Sequence, residues 1–345
     1  MARKRFDAES YLRKYAAGFP RLETVAKRLQ SFTVSVFADS HLPIHLIATR
    51  PKSVESAREK IQRKGYRRPA RQLTDKIGLR VITYYRDDVD KAVEVLGTSF
   101  EVHPQLSVDK RTALGLTSFG YRSVHLIARP KPKKLLLEYA EIRNVWCEIQ
   151  VRSLLEHAWA EIEHEVVYKS GISYPKDFSR QFAALAGALE ILDSEFLALR
   201  EQRSSLIETH KAAYQQGQEG RKRLDSARLI GLLECDYPLG LGWRAAEQRD
   251  EPFRAHSDAR SVSALQAAGI ITADSLRQVL RSRLHRRLTL AFANYNQIPR
   301  EEISHFAIVL MALAAQDPRL IESYFPDVAL DPAIANVLAI ARHAN

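Results

Sequence analysis

Two cysteines in 345 residues, Cys147 and Cys235, exclude a disulfide framework and a cysteine-rich zinc site. No apolar run approaches the ~18 residues that a membrane span needs. The opening Met-Ala-Arg-Lys-Arg leads into no apolar core, so no secretory signal is expected, and the protein is expected in the cytosol without a membrane partner. No repeat period stands out, and no His-Asp dipeptide occurs. Apolar and charged residues are not scarce: hydrophobic side chains make up 46% and charged ones 27%, as in a soluble globular chain with room for two domains.

Positive charge is plentiful, but at one end. Residues 1–72 hold 17 Lys/Arg against 6 Asp/Glu, an excess of 11 that equals the net charge of the whole chain. The rest is balanced. A basic amino-terminal block implies a polyanionic partner, either nucleotide phosphates or a nucleic acid. A solvated basic face would carry the same charge.

The densest chemistry lies in residues 144–152. Val145, Cys147, Ile149 and Val151 alternate with Trp146, Glu148, Gln150 and Arg152, the period of a β-strand. One face is then apolar, and the other aligns a carboxylate, an amide and a guanidinium. Such a row suits a metal, a hydroxyl and a phosphate; it also suits a solvated face with an ion pair. Residues 153–168 read as a helix. On it His157, Glu161 and His164 are spaced i, i+4 and i+7, but Tyr168 stands where a zinc-type His-Glu-x-x-His would need its second histidine, so zinc is not expected.

Upstream, helical spacing over 7–30 predicts two short helices broken near Pro20, followed by a strand over 44–49. A helix is expected over 53–64, with Ser53 as N-cap, Gly65 as stop, and Val54, Ala57 and Ile61 inward. Lys52, Ser56, Lys60 and Arg63 share its other face, which suits a triphosphate and equally an amphipathic surface helix. Arg67 to Arg71 read as a basic loop and 75–85 as a strand with Asp75 at its mouth. A helix over 88–98 and strands over 100–107 and 120–127 follow, the last with Tyr121, Ser123 and His125 on one face. Residues 178–217 predict a long helix. Further helices are expected at 227–235, 262–268, 273–293, 299–314, 317–324 and 331–342, with loops over 236–261. The fold class is therefore α/β (α+β) with a mostly helical carboxy-terminal domain.

Phosphoryl transfer needs cations for phosphates, carboxylates for Mg²⁺ and a group to activate a hydroxyl. The chain supplies these in one order: Arg50-x-Lys52-Ser53-x-x-Ser56-x-x-x-Lys60, Asp75-x-x-Gly78-x-Arg80, Gly120-Tyr121-Arg122-Ser123-Val124-His125, Glu148-Ile149-Gln150-Val151-Arg152, then His157-Ala-Trp159-Ala-Glu161-x-x-His164. The set resembles the RelA/SpoT synthetase domain of small alarmone synthetases, over about residues 45–170. The resemblance implies a nucleotidyltransferase-like mixed sheet flanked by helices. It implies pyrophosphate transfer from ATP to the 3′-hydroxyl of GDP or GTP, making the stringent-response alarmones (p)ppGpp. Arg50, Lys52, Ser56, Lys60 and Arg63 would grip the ATP phosphates. Asp75 and Glu148 would hold Mg²⁺, Glu148 also activating the acceptor hydroxyl. Tyr121 would stack on the acceptor base, with Arg122, His125, Gln150 and Arg152 on the acceptor side.

Two departures from that pattern shape the expectations. Thr117-Ser118-Phe119 replaces the family's Lys-Pro-Asn-type loop, which leaves an adenine nucleotide or the 3′ end of tRNA open as acceptor, the tRNA in the manner of a growth-blocking toxin. A catalytically dead RNA-binding regulator is disfavoured by both carboxylates. The second departure is a tail of about 120 residues, with room for homo-oligomerisation or for binding a regulator. The expected division is an amino-terminal helical segment (1–42), a synthetase domain (43–175), a long helix with linker (176–224) and a helical domain (225–345).

Overall fold

The computed structural model describes residues 8–38, 40, 42–109, 123–132, 137–168, 176–236, 258–297 and 305–343. Contacts divide the chain into two compact units, Met1–Ala198 and Leu199–Asn345.

The first unit opens with α1 (Ala8–Ala17) and α2 (Phe19–Ala38). The break expected near Pro20 falls at Gly18, and the second helix is longer than expected. Pro20 sits in the first turn of α2, where the missing N–H is an orphan in any case, and the helix runs on through Phe32, Val36 and Phe37. β1 (Ile44–Pro51) leads to α3 (Val54–Lys64) and a single turn, α4 (Pro69–Gln72). That turn lies inside the expected basic loop, with Pro69 at its start. β2 (Ile77–Thr83), α5 (Asp88–Ser99), β3 (Phe100–Val102), β4 (Val108–Asp109) and β5 (Val124–Pro130) follow. After a 3₁₀ helix (Leu137–Ile142) come β6 (Cys147–Ser153), α6 (Leu154–Glu163), a π-helical stretch (His164–Tyr168) and the 40-residue α7 (Lys176–Gln215), whose residues from Leu199 on are counted in the second unit.

The sheet is mixed, in the order β1-β2-β6-β5-β3, with β4 also on β5. β2 and β6 run parallel and the other pairs antiparallel. The alternation of β6 is realised: Cys147, Ile149 and Val151 are buried with Ile77, Leu79 and Val81 of β2, beneath Leu29 and Phe32 of α2 and Val89 and Leu96 of α5. At about 25 cal/mol per Å² of buried apolar surface, this face is what commits the strands to their register, since a slip of one residue would present Glu148 and Gln150 to the core. Of the expected strand over 100–107 only β3 forms, and β4 begins just beyond its end. Between them Ser107 Oγ accepts from Ile127 N at 3.0 Å, doing what a ladder carbonyl would otherwise do.

The second unit is helical: α8 (Ser226–Asp236), α9 (Asp258–Ala267), α10 (Ala273–Leu280), α11 (Arg283–Asn296), α12 (His305–Gln316), α13 (Arg319–Tyr324), α14 (Pro326–Ala329) and α15 (Pro332–Arg342). One core joins them, with Leu232, Leu265, Leu276, Leu288, Leu310 and Ile334 at its centre. The expected helix over 273–293 is two helices, because Ser282 accepts from His285 N at 3.1 Å and starts a new one. Among the described residues no helix is long and apolar enough to cross a membrane.

Candidate active site

Sheet register builds the polar face row by row. Arg50 of β1 pairs with Gly78 of β2, and Gly78 with Glu148 of β6. In the next row Ala48, Arg80, Gln150 and His125 stand side by side. Because alternate residues share a face, Arg50, Arg80, Glu148, Gln150 and His125 project to the same side, away from the core. Gly78 carries no side chain in that first row, which leaves the sheet floor open between Arg50 and Glu148.

Above this floor lies α3, held in place at both ends. Ser53 caps it by accepting from Ser56 N at 3.2 Å, and Gly65 closes it in the left-handed region (φ 59°). Ala57 and Ile61 are buried, so the opposite stripe is fixed in direction. Lys52, Ser56, Lys60 and Arg63 line a cleft of about 550 Å³ together with Asp75 and Glu148. Two further groups in its wall, Glu59 and Gln62, were not foreseen. Lys52 is anchored through its backbone: its N–H donates to Lys76 O at 2.8 Å and its carbonyl accepts from the Tyr15 hydroxyl at 2.7 Å.

Asp75 is the buried carboxylate of the cleft, 5% exposed. Its Oδ2 receives Lys60 Nζ at 2.6 Å and Lys52 Nζ at 3.0 Å. Its Oδ1 is buried with no hydrogen-bond partner. An ionised oxygen left bare in this way is costly unless a cation or a donor reaches it.

Glu148 heads a chain of side-chain contacts. Ser123 Oγ lies 2.6 Å from His125 Nε2, and His125 Nδ1 lies 2.9 Å from Glu148 Oε1. A neutral His125 with its proton on Nδ1 satisfies both contacts, donating to the carboxylate and accepting from the serine hydroxyl. Gln150 Nε2 donates to Glu148 Oε2 at 3.2 Å, and Arg152 Nη2 donates to Gln150 Oε1 at 2.5 Å. The His125 hydrogen bond, opposed by burial and aided by Gln150 and Lys60, holds the Glu148 carboxyl down at about 2. Arg152 is buried, and burial lowers its guanidinium from its ordinary value. Beyond it Arg80 pairs with Glu161 at 3.0 Å, and burial, reinforced by Arg152, lowers the imidazole of His157.

The structure thus brings Lys52, Ser56, Lys60, Arg63, Asp75 and Glu148 to one cleft, with His125, Gln150 and Arg152 wired to Glu148. Arg50 stands on the same sheet face but does not line the cleft. Tyr121 and Arg122 lie outside the described residues. Arg80, present in the motif without an assigned role, stands between Ala48 and Gln150 on the site face; its period-2 spacing from Gly78 was the signal that could have found it.

The donor set fits Mg²⁺. The ion is usually held by one or two carboxylates plus substrate phosphates rather than by a full protein cage. Asp75 with its bare Oδ1 and the ionised Glu148 are such a pair. Among the described residues no group of three or more His, Cys, Asp or Glu could hold a metal by itself.

A mixed sheet whose Glu148 shares one cleft with Asp75 and with the cations of α3 has a make-up suited to polyphosphate. Residues 49–173 match a family model described as a region found in RelA / SpoT proteins. The chain is 30% identical over 168 residues to the GTP pyrophosphokinase YwaC of Bacillus subtilis (strain 168), covering 47% of this chain and 76% of that relative. It is 27% identical over 219 residues to the GTP pyrophosphokinase YjbM of the same organism, covering 62% of this chain and 97% of the relative. Among solved structures, small alarmone synthetase 1 from Bacillus subtilis matches at 26% identity and a TM-score of 0.47, covering 56% of this chain and 98% of that one. The chain belongs to the RelA/SpoT family.

Proposed function

We propose that the protein is an ATP-dependent pyrophosphokinase, transferring pyrophosphate from ATP to the 3′-hydroxyl of GDP or GTP to make (p)ppGpp. The observation that carries this is the opening of Asp75 and Glu148 onto one cleft with Lys52, Lys60 and Arg63, in a chain whose relatives are GTP pyrophosphokinases.

The donor triphosphate lies along Lys52, Ser56, Lys60 and Arg63, with Arg50 at the sheet edge. Without nucleotide, Lys52 and Lys60 neutralise Asp75. When phosphates arrive, the lysines turn to them and free Asp75 Oδ2, so that both carboxylate oxygens are open. Bound Mg²⁺, held by Asp75 and Glu148, would neutralise charge developing on the transferred group. Glu148, ionised at neutral pH, accepts a hydrogen bond from the acceptor 3′-hydroxyl and aims it at the β-phosphorus. A carboxylate this acidic is a weak base, so its work is orientation, with the hydroxyl proton passing to solvent water as the new O–P bond forms. The α–β anhydride breaks and AMP departs. His125, Gln150 and Arg152 hold Glu148 and face the acceptor; Tyr121 and Arg122 complete the acceptor side by family resemblance.

Purified protein supplied with Mg²⁺, ATP labelled separately at its β- and γ-phosphates, and GDP, GTP, ATP or bulk tRNA tests the proposal. Both labels are expected in the guanine nucleotide, with AMP released in equal amount. Label in tRNA or an adenine nucleotide alone would overturn the acceptor assignment. Transfer that survives Glu148→Gln would remove Glu148 from the mechanism.

A further inference from the structure

A second cavity, of about 570 Å³, lies between α2, α4 and the segments entering β2 and β6, and shares no lining residue with the cleft. Among the described residues three cations line it, Arg21, Arg71 and Lys76, and no carboxylate does. Neither Arg21 nor Arg71 makes an ion pair with a described residue, and Lys76 Nζ donates only to the carbonyl of Ala70 at 3.3 Å. Leu22, Val25, Leu73, Val145 and Trp146 give the cavity an apolar part with one indole, and Thr74 and Asn144 add neutral polar groups. Trp146 is already fixed, with the Arg129 guanidinium 4.9 Å above its ring and His103 at its edge, so the wall is preformed.

Three cations on one cavity wall, with no carboxylate of the described residues beside them, favour an anionic ligand through their summed positive potential. The volume falls within the ~300–1,000 Å³ of small-molecule sites. An aromatic wall beside a cationic one selects a molecule with both parts. We infer that this cavity is a second ligand site, taking a small aromatic phosphate of the nucleoside monophosphate class, its phosphate on Arg21, Arg71 and Lys76 and its flat body against Leu22, Val145 and Trp146. Its occupancy would be felt in the cleft, because Thr74 and Lys76 line this cavity on either side of Asp75, and Trp146 precedes Glu148 by two residues.

The test uses the full chain and reads binding alone, so it stands apart from whether the proposed transfer occurs. The protein is titrated calorimetrically with 1-naphthyl phosphate, GMP, AMP and inorganic phosphate. One site is expected for 1-naphthyl phosphate and for at least one nucleotide, with inorganic phosphate weaker. The Arg21→Glu/Arg71→Glu double variant, altered at two exposed positions, should bind 1-naphthyl phosphate roughly tenfold or more weakly while keeping the wild-type circular dichroism spectrum. Lys52→Ala/Lys60→Ala, in the cleft, should bind it as the wild type does. Absence of binding at millimolar probe, equal binding of inorganic phosphate, or loss of binding in the cleft variant instead of the cavity variant would each overturn the inference. If naphthyl phosphate binds at the cavity and neither nucleotide does, the nucleoside class is overturned.

Discussion

His125 donates to Glu148 across neighbouring strands, Nδ1 to Oε1 at 2.9 Å, and this bond is the foremost cause of a carboxyl held at about 2. A carboxylate depressed on folding stabilises the fold above its ordinary 4.5, and that contribution fades as pH falls from 4.5 to about 2. The wild type is therefore expected to lose stability through this acid window. His125→Ala should lose less there, because its Glu148 titrates nearer to 4.5 in both states. Denaturant midpoints measured across the window decide the matter, and parallel profiles for the two proteins would contradict the role given to His125.

Lys52 and Lys60 share one oxygen of Asp75, so their removal should not be additive. With either lysine gone, the other still neutralises the buried carboxylate, and each single alanine variant is expected to cost about 1 kcal/mol or less. With both gone, Asp75 is buried and unpaired, and the loss should reach ~2–4 kcal/mol, less than for a fully buried pair because both lysines reach solvent. A double-mutant cycle on unfolding free energy reads the difference directly. Simple additivity would mean that Asp75 finds another partner or takes up a proton.

The features of this site that were legible in the sequence are those that local rules determine. Strand alternation placed Glu148 and Gln150 opposite Ile149 and Val151, and capping chemistry set both ends of α3 at Ser53 and Gly65. Arg152 follows the same alternation but is buried all the same, covered by elements no strand pattern reveals. The contact between His125 and Glu148 depends on β5 pairing with β6 at a particular register, a long-range fact that sequence spacing does not carry. The strand expected over 100–107 stops at Val102 because the sequence does not announce that Ser107 will take over a ladder position. The second cavity escaped notice for the same reason. Arg21 and Arg71 lie 50 residues apart by their numbers and were read only as parts of a basic block, and Lys76 only as part of a strand.

In the second unit, Gly231 of α8 lies against the backbone of α7. A methyl group there would stand 3.1 Å from both Ile207 O and Lys211 N, too close for comfortable packing against main chain that has no rotamer to yield. Gly231→Ala should therefore destabilise by about 1–3 kcal/mol, although alanine is the better helix former. The measurement is the unfolding transition of the full chain followed by circular dichroism. A stabilised variant would mean that propensity outweighs the close approach and that the helices separate easily.

Ser153 joins two elements through one hydroxyl. It caps α6 by accepting from Glu156 N at 3.2 Å and donates to Asp193 Oδ2 of α7 at 3.0 Å. Asp193 is 3% exposed, and burial raises its carboxyl above the ordinary 3.8 in spite of the serine donor and Arg86. An acid raised on folding binds more protons folded than unfolded, so stability falls as pH rises from 3.8 through the raised value, and the loss persists at neutral pH. Asp193→Asn keeps an oxygen for the Ser153 hydroxyl and removes the charge. It is expected to raise the thermal midpoint at neutral pH and to match the wild type at pH below 3.8, where Asp193 is protonated in both states. Asp193→Ala should do the reverse at neutral pH, because it leaves the Ser153 hydroxyl buried without an acceptor, at a cost of about 1–3 kcal/mol. A neutral-pH midpoint lower in Asp193→Asn than in the wild type would show that the charge itself, acting through Arg86, holds α7 against the end of β6.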